Sequence, residues 1–350
     1  MSVGHPDLVR EVLRAPADTL LAGESNDLGP ILGSNSLLAT DGDKHLRQRK
    51  LLLPPFHGAR MADYEEMIAR ITREEIAAWP VGEAFPVVPT TMRITVRAIL
   101  EAVFGAHDEI AARLGELLPH MTERGSLLSV FPVFQKDLGR FSPWGSFLRM
   151  RREVDSLLDQ LIEEAKADPD IADRPDVLAL LVQARYDDGE PMTSAEIRDQ
   201  LVTMLAAGHE TTANTLGWAV ERLRRYPRVL AKLVDEVDAG GREYRDATVR
   251  EVQRVRPVVM FTTRVVRKPF ELGGYTIPPG TRIAIGGALM HFDERFYEGA
   301  REFRPERFVG VKPGTYTWLP FGGGVRRCIG AAFAHLEMEV VLRVILEQYE

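Results

Sequence analysis

The chain has 350 residues, 45% hydrophobic and 27% charged, an ordinary balance for a folded protein with one large core or two domains. A net charge of −7 argues against nucleic acid as the main partner, and no apolar run approaches the ~18 residues of a membrane span. One cysteine excludes an internal disulfide and fits a reducing compartment, and the start Met1-Ser-Val-Gly-His-Pro6 lacks the regions of a secretory signal, so a cytoplasmic protein is expected.

Helical periodicity dominates from the start. A short helix is predicted over 7–13, a loop-rich stretch over 18–40, and a helix over 45–53 that Pro54-Pro55 stops. Long amphipathic helices are predicted over 60–79 and 144–167, with others over 90–104, 109–120 and 176–185. Between them, 126–143 reads as irregular and aromatic, with Phe131, Phe134 and Phe141. Thr193 or Ser194 caps the longest helix, expected to reach about residue 226, and its centre, 201–207, is apolar on all sides, which predicts burial. Helices over 227–237 and 242–255 follow. Strand signals then cluster at 262–266, 270–272, 275–277 and 282–286, punctuated by Gly273-Gly274 and Pro278-Pro279-Gly280. No Gly/Ser-rich linker divides the chain, so a single catalytic domain over 1–350 is expected, mainly α with a small β-rich region.

The cysteine, Cys328, sits in Phe321-Gly-Gly-Gly-Val-Arg-Arg-Cys-Ile-Gly330. A lone thiol can be an inert buried group, a nucleophile, or a one-sulfur metal ligand. The glycines let the backbone approach a flat object and turn N–H groups toward it. A helical pattern begins at 331, so the sulfur lies near a helix N-terminus, which together with Arg326 and Arg327 favours a thiolate. No histidine is placed as a base for a nucleophile; His335 lies two turns into that helix.

Three further constellations are ambiguous alone. Ala206-Ala-Gly-His-Glu-Thr-Thr212 puts Glu210 inside an apolar helix, which is costly unless something justifies it. Two adjacent threonines can bond to carbonyls a turn earlier and open a groove, suited to dioxygen and proton transfer, or the stripe is simply half-exposed. Glu251-Val-Gln-Arg254 is by spacing an ordinary helical ion pair. His45-Leu-Arg-Gln-Arg49 is a basic run, either a solvated face or a partner for an anion.

The spacing Phe321, Gly324, Arg326, Cys328, Gly330, with Phe333-Ala334 and Glu337 beyond it, resembles the haem-ligating loop of the cytochrome P-450 superfamily, the haem-thiolate monooxygenases. The other constellations fall in that family's order. The resemblance implies the cytochrome P-450 fold and haem b, with Cys328 as its axial thiolate and Phe321, Gly324 and Gly330 shaping the loop. It implies that Thr211 orients dioxygen and Glu210 feeds a proton relay, with Ala207 and Gly208 against the cofactor. His45, Arg49, Arg264 and Arg326 match partners of the haem propionates. Glu251, Arg254 and Arg307, the last in Phe303-Arg-Pro-Glu-Arg-Phe308, match a structural ionic network; Val252-Gln253 departs from the common Thr-Leu. The substrate cavity would be lined near 28–37, 131–144, Met204, Ala207 and 258–261, mostly apolar positions suited to a lipid, terpenoid or similar hydrophobic molecule. The family's N-terminal helix and strand and its C-terminal β-hairpin are expected to be absent. Without a Gly-x-Gly-x-x-Gly or a cysteine set, electrons would come from a separate ferredoxin or flavodoxin with its reductase, met by Arg327 and Lys50. A peroxide-driven enzyme and a truncated, non-catalytic haem-binding protein are the alternatives.

Overall fold

The structure is a computed structural model that describes every residue except 24–27, 57, 59, 106–108, 137, 140, 141 and 350, so Phe141 lies outside the described residues. It forms two compact units, one of residues 1–25, 56–95 and 211–350, the other of 26–55 and 96–210.

In the first unit, a four-stranded sheet has the order β1-β6-β3-β2. Here β1 is Ser2–Val3, β2 Leu20–Leu21, β3 Thr262–Val266 and β6 Arg282–Ile285; a separate hairpin pairs β4, Phe270–Leu272, with β5, Tyr275–Ile277. Helix α1, Pro6–Arg14, starts on Pro6 with the His5 side chain accepting from the Asp7 N–H. Its buried Val9, Val12 and Leu13 share a core with Val266, Ile283, Ile285, Met290 and Leu319. β1 runs parallel to β6, and β2 antiparallel to β3. Neither two-residue strand was foreseen: such strands exist by pairing and leave no local alternation to read.

The second unit is helical. It holds α2 (Gly29–Leu32), α3 (Gly42–Leu52), most of α5 (Val88–Phe104), α6 (Glu109–Val130), α7 (Pro143–Ala167) and α8 (Val177–Gln183); α4 (Arg60–Ile76) belongs to the first unit. Ser142 accepts from Gly145 N at 3.1 Å and Asp176 from Ala179 N at 2.9 Å, capping α7 and α8. The irregular reading of 126–143 is corrected over its first part. Helix α6 continues through Pro119 to Val130, because Leu117, Leu118, Met121 and Leu128 are buried along it. Likewise 18–40 is not all loop, since it contains β2 and α2.

Helix α9, Ser194–Arg225, is the longest, and the boundary between the units falls between its Glu210 and Thr211. It begins in a capping box: Thr193 Oγ1 accepts from Glu196 N at 3.2 Å while Glu196 Oε2 accepts from Thr193 N at 2.9 Å. In the first unit follow α10 (Pro227–Asp238), α11 (Glu243–Val255), α12 (Gly287–His291) and α13 (Ala331–Gln348). Helix α13 packs on α4, where Phe333 meets Phe56 and Tyr64 edge-on at 6.1 and 5.1 Å.

Candidate active site

The cysteine loop is shaped by its glycines. Gly322 and Gly324 have φ of 64° and 61°, in the left-handed region. A Cβ on Gly324 would stand 2.4 Å from the Leu13 carbonyl oxygen, and one on Gly323 would stand 2.7 Å from Leu13 Cδ1. Conformation and packing against α1 thus both exclude side chains there. The chain then makes a tight turn, Arg327 N donating to Gly324 O at 3.1 Å and Cys328 N to Phe321 O at 2.9 Å. The turn leaves Cys328 exposed just before α13. Gly330 differs from the other three. Its φ is −86°, which any residue adopts, and an added Cβ meets no atom of the chain within 4 Å. Nothing within the fold requires glycine at 330.

On α9, the centre is buried through Leu205, but Ala207 and Thr211 are exposed one turn apart and Gly208 and Glu210 are half-buried. Glu210 is therefore half-buried, as the second of the two readings of this stripe has it. His209 is the buried polar group: Nδ1 lies 2.6 Å from Leu205 O, and burial pushes its pKa down, keeping the ring neutral. A Cβ at Gly208 would come within 3.1 Å of Ile99 Cδ1, so packing on α5 by itself asks for a small residue. Further along the helix a threonine back-bond is present at Thr215, whose Oγ1 donates to Thr211 O at 2.9 Å.

Glu251, Arg254 and Arg307 meet. Arg254 is 0% exposed, and every one of its five N–H donors is used. Nε and Nη2 donate to the two Glu251 carboxyl oxygens at 2.7 Å each. Nη1 donates to His291 O at 2.6 Å and Ala300 O at 2.7 Å, and Nη2 also to Glu302 O at 2.9 Å. Glu251 Oε1 further accepts from Arg304 N at 2.8 Å and Arg307 Nε at 3.1 Å. Tyr297 lies beneath both guanidinium groups, 5.0 Å from Arg254 and 5.9 Å from Arg307.

His291 joins this cluster to the cysteine loop, and the sequence offered no signal for it. Its carbonyl receives Arg254, while its ring Nε2 accepts from Leu319 N at 3.1 Å, two residues before Phe321. Burial and the nearby Arg254 charge hold its pKa down to about 4. The ring is thus the neutral tautomer with the proton on Nδ1.

The remaining cations are divided between the two units. His45 and Arg49 share one face of α3, the first buried and the second half-buried. Arg264, 7% exposed on β3, donates to Thr263 O at 2.8 Å, and Arg326 is half-buried in the turn before Cys328. Arg327 is exposed, and Lys50 ion-pairs with Asp187 at 2.5 Å. Asp246, His335 and Glu339 bring ligand-type atoms within 4.8 Å of one another. Arg250 and Arg242 already hold the two carboxylates at 2.8 and 2.6 Å, which makes the group an ion-pair network.

A sequence profile of the family described as "Cytochrome P450" matches residues 1–350. Cytochrome P450 138 of Mycobacterium tuberculosis is 48% identical over 348 residues, covering 99% of this chain and 79% of the relative. Cytochrome P450 137 of the same species is 40% identical over 354 residues, 99% of this chain and 74% of the relative. Among solved structures, a retinoic-acid-bound cyanobacterial CYP120A1 superposes with a TM-score of 0.87 at 23% identity, covering 99% of this chain and 81% of that one. The haem domain of cytochrome P450DA gives 0.84 at 21% identity, covering 100% and 81%.

Proposed function

The chain belongs to the cytochrome P450 family, and on that premise we propose that Cys328 is its axial thiolate and that residues 1–350 act as one catalytic domain on a hydrophobic substrate. Members of the family are haem-thiolate monooxygenases that bind haem b through a cysteine thiolate, use dioxygen and an organic substrate, and take electrons from a redox partner. No helix among the described residues is long and apolar enough to cross a membrane.

The observation that carries the reading is the contrast within the cysteine loop. Gly322, Gly323 and Gly324 are explained by backbone and packing, whereas Gly330, two residues beyond the exposed Cys328, is explained by neither. A flat group lying against the loop explains it, because any side chain at 330 would stand in its way. The residues present therefore fit haem. Cys328 would ligate it, Phe321, Gly324 and Gly330 would form the surface beneath it, and Ala207 and Gly208 would offer a small-residue stretch of α9. Arg264, Arg326, His45 and Arg49 would neutralise its propionates.

When bound, haem supplies the redox chemistry that activates dioxygen, and the electron density of a thiolate ligand favours O–O cleavage, a property of haem-thiolate enzymes generally. Thr211, exposed on the same helical face as Ala207, orients dioxygen through its hydroxyl. Glu210, half-buried beside it, exchanges protons with solvent and passes them toward the Thr211 Oγ. His209, beside it in sequence, is held neutral by burial. Glu251, Arg254 and Arg307 act on the chemistry only by holding the segment that leads into the cysteine loop.

The substrate is proposed to be a lipid, terpenoid or similar apolar molecule, because Val258, Val259, Met260 and Phe261 form a run of exposed large apolar residues. A separate ferredoxin or flavodoxin with its reductase would supply electrons, Arg327 being the exposed cation next to the ligand; Lys50 is already paired. A cytoplasmic location accords with the lone cysteine. The test is turnover of apolar substrates under labelled dioxygen with a ferredoxin and its reductase. One labelled oxygen atom is expected in the product, and Thr211→Ala should divert most electrons into hydrogen peroxide. Unlabelled product, or a Thr211→Ala enzyme as well coupled as wild type, would remove the monooxygenase mechanism or the threonine from it.

A further inference from the structure

His291 closes the short helix α12 and is 0% exposed. Its polar groups face two different structures. The backbone carbonyl accepts from Arg254 Nη1 at 2.6 Å, and the ring Nε2 accepts from Leu319 N at 3.1 Å. From Leu319 the bonding continues along the chain. Leu319 O accepts from Gly322 N at 3.1 Å, and Phe321 O accepts from Cys328 N at 2.9 Å. One ring nitrogen thus links the ionic cluster to the backbone that carries the cysteine.

The approach to the loop is held at successive residues. Tyr297 OH donates to Thr317 O at 3.2 Å, and the Trp318 indole N–H donates to Arg250 O at 3.3 Å. Trp318 also meets Phe321 edge-on at 6.1 Å. Pro320 offers no N–H, so Leu319 N is the last backbone donor before Phe321. Leu319 is 7% exposed, in the same core as Leu13, whose carbonyl already excludes a Cβ at Gly324. A buried N–H that loses its acceptor cannot turn to water instead, so the chain must move to find another partner. Movement of Leu319 would reach the loop along the chain and through Leu13. The bond to Leu319 by itself would make His291 a satisfied core residue; what lies beyond that bond makes it more.

We propose that His291 is a positioning residue for the cysteine, its ring fixing Leu319 and thereby the turn that places the Cys328 sulfur. That the sulfur is an axial ligand rests on the function proposed above; the hold on the loop does not. Arg254 bonds to the backbone of residue 291, so a change of the side chain leaves the ionic cluster in place. His291→Leu fills the space without an acceptor, whereas His291→Gln keeps an oxygen able to accept from Leu319 N.

The experiment follows amide exchange and the optical spectrum of the haem-loaded protein. In His291→Leu, exchange at Leu319 and Cys328 should accelerate about tenfold, the scale of one buried donor left without its acceptor. Exchange at Ile68, buried within α4 of the same unit, should keep its wild-type rate. After reduction and addition of carbon monoxide, the thiolate-type Soret band of His291→Leu should shrink in favour of the band of a neutral-thiol or unligated form. His291→Gln should recover the exchange rates and the band together. Wild-type exchange at Cys328, or an undiminished thiolate band, in His291→Leu would overturn the proposal. So would equal acceleration at Ile68 and Cys328, or losses in His291→Gln as deep as in His291→Leu, since either would report general destabilisation. If His291→Leu does not fold, the nitrogen-15 resonances of His291 in the wild type decide: an unprotonated Nε2 supports the hold on Leu319, and a protonated Nε2 overturns it. If the wild type itself gives no thiolate band, the ligand reading fails, and the exchange rates still decide whether His291 holds the loop.

Discussion

Glu251 and Glu337 are both 0% exposed and lie in the same unit, on helices α11 and α13 that pack together, yet their surroundings are opposite. Glu251 faces Arg254 and Arg307 and accepts from Arg304 N, so it is a buried carboxylate inside a saturated ionic cluster. Glu337 faces no cation among the described residues, and burial drives its pKa well above the usual carboxyl range, offset only in part by the Thr212 hydroxyl. Burial therefore favours the neutral form of Glu337, whereas Glu251, at the same depth, is surrounded by guanidinium donors. Glu251 has Arg254 three residues on, whereas the residues three and four places from Glu337 are Phe333, Ala334, Val340 and Val341.

The largest effect should come from breaking the charged side of this pair. Arg254→Ala leaves a buried carboxylate and the carbonyls of His291, Ala300 and Glu302 without their donor, at a cost of about 3–5 kcal/mol. Denaturant unfolding at neutral pH measures it, and a loss no larger than that of a surface substitution would mean the cluster does not brace the fold.

His291 should give the next effect. Its folded pKa, about 4, is depressed below the ordinary 6.5, so the folded state binds fewer protons than the unfolded state as pH falls between the two. Stability present above pH 6.5 is then lost on the way down to about 4, by about 3 kcal/mol in all. In His291→Gln that part of the pH dependence should vanish, while a slope equal to that of wild type would place the titration elsewhere.

The neutral glutamate has the reverse sign. With its folded pKa raised, Glu337 contributes most below the ordinary carboxyl pKa and loses that contribution as pH rises. Glu337→Gln should gain about 1 kcal/mol over wild type across the first pH unit above that range. A variant that loses stability with rising pH as wild type does would show that Glu337 is ionised. The smallest effect belongs to the exposed Lys50–Asp187 pair, where Lys50→Ala should leave the unfolding midpoint unchanged because water and salt already screen both charges.

What the sequence made legible follows from the range of each signal. Long periodic helices and the strands at 262–285 could be read to within a few residues, because their pattern is local. A cap at Thr193 or Ser194 was visible for the same reason, though not the part Glu196 plays in it. Helix α6 was cut short at Pro119, where a local breaker loses to burial on both sides of it. At the site, the contiguous cysteine loop stood out, whereas the Glu251–Arg254 spacing is ordinary for a helix and gained weight only from its place in the family's order. The exposure of Thr211 within a buried helix did not, since it depends on what surrounds the helix. His291 was missed because its partner, Leu319, lies 28 residues away.

The central claim is that Cys328 is the thiolate ligand of haem in a family member whose loop retains the features for it. The direct measurement is the difference spectrum of the reduced, haem-loaded protein with carbon monoxide, in wild type and in Cys328→Ala. The account predicts a red-shifted Soret band of the thiolate type in wild type and its loss in the variant, with circular dichroism unchanged. The same red-shifted band in Cys328→Ala would contradict it.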